Sequence, residues 1–101
     1  RLGRLVLDPV TSGKRVAGST DMGNVSYLVP SIHPMIQASP PGVPIHSVEF
    51  ALCAVSEEGD RAVVDGAKAM AMTIIDLWTS PELRELVSAE FTSRHAEIPV
   101  M

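Results

Sequence analysis

The clearest periodicity in the chain lies in its second half. Val63, Val64, Ala67, Met70, Ala71, Ile74, Ile75 and Trp78 recur at spacings of three and four, the period of one face of an α-helix. Ser56 supplies a capping hydroxyl ahead of this run, and Glu57, Glu58 and Asp60 place negative charge at the positive end of the helix dipole. The pattern predicts a long helix with that apolar face turned inward. Gly66, Ala67, Ala69 and Ala71 let a sheet or another helix approach closely. Ser80-Pro81-Glu82 then starts a second helix, with a capping hydroxyl, proline at the first helical position and an acid in the first turn. Its expected inward stripe is Leu83, Leu86, Val87, Glu90 and Phe91, with Arg84, Glu85 and Arg94 outside.

No such period organises the first half. Val29 to Gln37 alternates large apolar residues with small or polar ones, and Pro30 and Pro34 each remove a backbone donor. A short strand at a sheet edge, or one with ends that bend away, is the expectation. Ala38-Ser39-Pro40-Pro41-Gly42 reads as a rigid, exposed connection. Residues 1–13 leave two readings open, the end of a helix or a frayed strand, and Pro9 and Gly13 stop either one. From His95 to Met101 a loose or docked tail is expected, and no internal repeat is visible.

Composition narrows the classes. One hundred and one residues suit a single domain with a modest core, and 46% hydrophobic residues with 20% charged are too apolar for a disordered tail. Unbroken apolar stretches of a few residues fall far short of the roughly 20 needed to cross a bilayer, so no membrane association is expected. No signal peptide is visible, although the chain opens on Arg1 rather than Met, which leaves its true start open. A net charge of −4 without any Lys/Arg run argues against a nucleic-acid partner. The single cysteine, Cys53, permits no internal disulfide and points to a reducing compartment, the cytoplasm. Cys53 reads as a small buried hydrophobe, and Met35, Met70 and Met72 as core filling.

Two stretches could carry chemistry. Gly18-Ser19-Thr20-Asp21-Met22-Gly23-Asn24 is a polar turn with glycines that would let backbone amides approach a ligand while a carboxylate and hydroxyls orient it. Its structural alternative is an Asx-type turn in which Asp21 caps Gly23 or Asn24. In Pro44-Ile45-His46-Ser47-Val48-Glu49-Phe50, the imidazole follows a proline-rich turn, a rigid place in which to meet a metal. Zinc needs three protein ligands for catalysis or four for a structural role. His33, His46 and His95 form no i, i+4 pair, and neither an HExxH motif nor paired cysteines are present. His46 is the strongest candidate ligand, with His33 expected beside the strand and His95 in solvent.

Taken together, the run from Gly18 to Ser26, then Val29-Pro30-Ser31-Ile32-His33-Pro34, then His46 to Phe50 and the alanine-rich Gly66 to Thr73, resemble a known family. The resemblance is to the C-terminal portion of zinc-dependent amidohydrolases of the aminoacylase/carboxypeptidase type (clan MH metallopeptidases), within them the aminobenzoyl-glutamate hydrolase and hippurate hydrolase-like branch. It covers roughly residues 15–80 in consistent order. It implies an α/β fold: the C-terminal part of a three-layer catalytic domain, short strands followed by two helices, with the N-terminal half and a lid or dimerisation domain absent. It implies two zinc ions in the complete enzyme, with His46 as one ligand. Ser19, Thr20, Asp21, Gly23 and Asn24 would then line the substrate side of the site. The family's His-x-Asp pair, bridging Asp and Glu-Glu pair match nothing here, so no catalytic residue is expected within the chain itself.

Three readings follow. The first is a fragment of a metal-dependent amidohydrolase that cleaves the amide bond of N-acyl amino acids or small dipeptide-like substrates and is inactive alone. The second is a non-catalytic assembly module whose apolar helix face pairs with another copy or another subunit, because removing half of such a domain uncovers sheet edges and core faces. A degenerate gene remnant is the third. The expected partners are a small amide substrate and either a second copy of the chain or the missing half.

Overall fold

The computed structural model describes residues 3–7 and 20–96, which fall into two compact units, Arg1–Ser31 and Ile32–Met101. Ser19 and residues 8–18 and 97–101, and with them the Pro9 and Gly13 stops and most of the expected tail, lie outside the described residues. Among the described residues of the first unit the one regular element is α1 (Met22–Ser26). The second unit holds α2 (Val48–Ala54), α3 (Glu57–Thr79) and α4 (Pro81–Ala96).

The expected α/β architecture is overturned, because the described residues contain four helices and no strand. Residues 30–38 run without regular structure. A strand exists only by pairing, and Pro30 and Pro34 withhold two of the donors that a ladder would use. With no other strand among the described residues, nothing completes one here. The following connection is as expected at its turn: Val43 N–H donates to the Pro40 carbonyl at 3.4 Å, with Gly42 at φ +90°. Proline and glycine at the central positions of a tight turn are suited to this geometry.

Both long helices begin where their caps place them. Ser56 Oγ accepts from Gly59 N–H at 3.2 Å, and Ser80 Oγ accepts from Leu83 N–H at 3.2 Å. Ser56 also ties α3 back to α2, donating through its hydroxyl to the Cys53 carbonyl at 2.5 Å and through its amide to the same oxygen at 3.1 Å. Gly59 makes this junction possible. A Cβ at that position would lie 2.5 Å from both the Cys53 and the Ala54 carbonyl oxygens. At the far end of α3, Arg84 donates to the carbonyls of Leu77 at 2.6 Å and Trp78 at 2.9 Å, satisfying acceptors that have no partner within the helix.

The packed face of α3 differs from the expected one. Gly59, Ala62 and Asp65 are buried and Gly66, Ala69, Thr73 and Leu77 half-buried, a stripe of mostly small residues. A Cβ on Gly66 would sit 3.7 Å from Ile36 Cγ1, so residues around Ile36 run over this stripe. Val63, Val64, Ala67, Met70, Ala71, Ile74, Ile75 and Trp78, all expected inside, are exposed. Met35 and Met72 are exposed as well, so the methionines are not core filling within this chain. On α4, Leu83, Val87 and Phe91 are half-buried as expected, while Leu86 is exposed and Glu90 pairs with Arg94 at 3.0 Å in solvent. The reason is the same in each case. Periodicity states which face is apolar, whereas burial requires something to cover it, and the described residues contain no side chain that is fully enclosed.

Candidate functional site

The two stretches singled out for chemistry lie in different units. In the first, Thr20, Asp21, Gly23 and Asn24 are all exposed at the start of α1. Asp21 adopts helical backbone angles and makes no side-chain cap; the Met22 amide is instead 3.4 Å from Thr20 Oγ1. The amides of Gly23 and Asn24 donate to the carbonyls of Thr20 and Asp21 at 2.9 and 3.2 Å. What this turn presents outward is therefore side-chain chemistry: a hydroxyl, a carboxylate and a primary amide.

His46 belongs to the second unit, on the short link between the Pro40–Val43 turn and α2. It is the one non-glycine residue with positive φ among those described, at +58°. Ser47 holds this corner. Its hydroxyl donates to the Pro44 carbonyl at 2.6 Å and accepts from Phe50 N–H at 3.1 Å, so one side chain both closes the turn around His46 and caps α2. The sequence reading missed this role and α2 with it. The available signal was the Ser47-Val48-Glu49 start, with a capping hydroxyl and an acid in the first turn.

The remaining candidates separate from this corner. His33 is exposed on the irregular segment rather than beside a strand. His95 is half-buried rather than in solvent: its ring stacks on Phe91 with centroids 4.1 Å apart, and Nδ1 lies 2.9 Å from the Phe91 carbonyl. Cys53 is half-buried at the end of α2. No three His, Cys, Asp or Glu side chains come together among the described residues in a way that could hold a metal ion. One imidazole falls short of the three protein ligands of a catalytic zinc, so these residues do not by themselves fit a metal centre. An open hollow lined by Ile74, Leu77, Trp78 and Arg84 contains none of the sequence-derived site residues. Among the described residues no helix is long and apolar enough to cross a membrane.

Two known proteins are similar to the chain. The chain is 39% identical over 75 residues to human Xaa-Arg dipeptidase, a match that takes in 74% of this chain and 17% of that protein. To mouse Xaa-Arg dipeptidase it is 37% identical over 90 residues, 89% of this chain and 20% of that protein. The chain is homologous to part of a peptidase-like hydrolase. It spans about a fifth of the length of the curated relatives it matches. Their names agree with the general resemblance to peptidase-type amidohydrolases and do not support the narrower aminobenzoyl-glutamate and hippurate hydrolase branch. No family model and no solved structure matches the chain.

Proposed function

We propose that this chain is one part of a cytoplasmic, metal-dependent amidohydrolase that hydrolyses the amide bond of dipeptides or N-acyl amino acids, and that it has no activity alone. The observation that carries the reading is the similarity to Xaa-Arg dipeptidases, which runs through most of the chain yet occupies about a fifth of each relative. His46 contributes one ligand to a divalent metal site, zinc by resemblance, whose other ligands lie in polypeptide beyond these residues. The left-handed corner clamped by Ser47 supports this role, because an imidazole on rigid backbone loses little freedom on binding. By the same resemblance, Ser19, Thr20, Asp21, Gly23 and Asn24 serve the substrate side.

The test uses the polypeptide encoded by the whole reading frame that contains this chain, assayed for hydrolysis of Xaa-Arg dipeptides and N-acyl amino acids. His46→Ala is expected to lower the rate by about 100-fold or more while leaving the melting temperature little changed, since a lost ligand affects the chemistry more than the core. The 101-residue chain is expected to give no turnover. A His46→Ala variant at the parent rate, or turnover by the isolated chain, would overturn the assignment.

A further inference from the structure

We infer that the large-residue face of α3 is a seam on which a broad apolar surface of the remaining polypeptide docks, an inference that rests on the hydrolase-fragment reading above. The exposed side chains include Val63 at 73%, Met70 at 60%, Ile74 at 55%, Ile75 at 57% and Trp78 at 79%. At 3.6 residues per turn, these positions with Ala67 spread over an arc of about 140°. That arc is wider than the narrow a/d seam through which two helices zip together and matches a helix laid on a core face. The neighbouring small-residue face is already occupied, with Gly59, Ala62 and Asp65 buried and Ile36 against Gly66. α3 thus exposes one broad apolar arc, with Arg61 and Lys68 on the polar strip beside it and Asp65, Thr73 and Asp76 on the small-residue side. An apolar patch of this extent is uncommon on a free monomer. The shortfall in length against the relatives supplies the occupant: about four-fifths of such a protein lies beyond the matched region.

Thiol labelling tests it. Val63→Cys and Ile74→Cys, with Glu85→Cys on the exposed side of α4 as reference, are made in the 101-residue chain and in the polypeptide of the whole reading frame. Maleimide modification is read for each site by peptide mass spectrometry. In dilute isolated chain the three positions are expected to react alike; in the longer polypeptide positions 63 and 74 should slow by about 10-fold or more relative to position 85. Equal reactivity in a longer polypeptide that still hydrolyses its substrates overturns the seam and leaves the hydrolase reading standing. Protection without hydrolysis upholds the seam while the substrate reading fails. Protection in the isolated chain that grows with its concentration assigns the face to a second copy and overturns the inference, and a reading frame encoding nothing beyond these residues overturns both.

Discussion

Two glycines seven residues apart in α3 should respond to the same substitution with opposite signs. Gly66→Ala places its Cβ 3.7 Å from Ile36 Cγ1, an ordinary van der Waals contact in mid-helix. Alanine there gains about 1 kcal/mol of helix propensity and should stabilise the chain by about 0.5–1 kcal/mol. Gly59→Ala drives its Cβ to 2.5 Å from two main-chain oxygens, Cys53 O and Ala54 O. Neither can swing aside as a side chain would. The Cys53 oxygen also accepts from the Ser56 amide and hydroxyl, so relieving the clash strains two hydrogen bonds that join α2 to α3. Overpacking of this kind costs about 1–3 kcal/mol, which exceeds the smaller propensity gain available in a first helical turn. Thermal and urea unfolding followed by far-ultraviolet circular dichroism should therefore rank Gly66→Ala above the parent and Gly59→Ala below it. A Gly59→Ala variant as stable as the parent would refute the close α2–α3 junction.

Two further substitutions probe the helix ends. Ser56→Ala removes the acceptor for Gly59 N–H and should cost about 1 kcal/mol, measured as a lower urea midpoint; an unchanged midpoint would mean that α3 starts elsewhere. Arg84→Met removes the donors to the Leu77 and Trp78 carbonyls and should cost about 0.5–1.5 kcal/mol, with faster amide exchange at the α3–α4 turn as its local signature.

What could be read from the residues alone was local in origin. Ser56 and Ser80 act on amides three residues away, so the starts of α3 and α4 needed no knowledge of the rest of the molecule. Capping by Asp21 was equally local and did not form; Asp21 itself takes helical angles rather than the extended ones of a capping residue. The errors of larger scale share one cause. Whether residues 30–38 form a strand depends on a pairing partner, and whether Val63 or Ile74 is buried depends on a covering surface. Neither partner nor surface is encoded within reach of those residues. The three-and-four spacing described the apolar face of α3 and could not state what would lie against it, whereas the alternation implied a strand that does not form.

His46 shows how a single residue can carry both kinds of information. The corner between Pro44 and α2 needs positive φ, and glycine would adopt it at no steric cost, whereas any other residue is held there against its preference by about 1–3 kcal/mol. Ser47 supplies the restraint through its bonds to the Pro44 carbonyl and the Phe50 amide. An exposed imidazole has no packing role to justify that cost. His46→Gly should then leave the isolated chain as stable as the parent or up to about 1 kcal/mol more so, since relief of strain exceeds or offsets the extra freedom of glycine in the unfolded chain. In the longer polypeptide the same change should abolish hydrolysis. A stability gain paired with lost activity is the signature of a strained backbone kept for its side chain; a clear loss of stability in the isolated chain would show that the imidazole serves the fold instead.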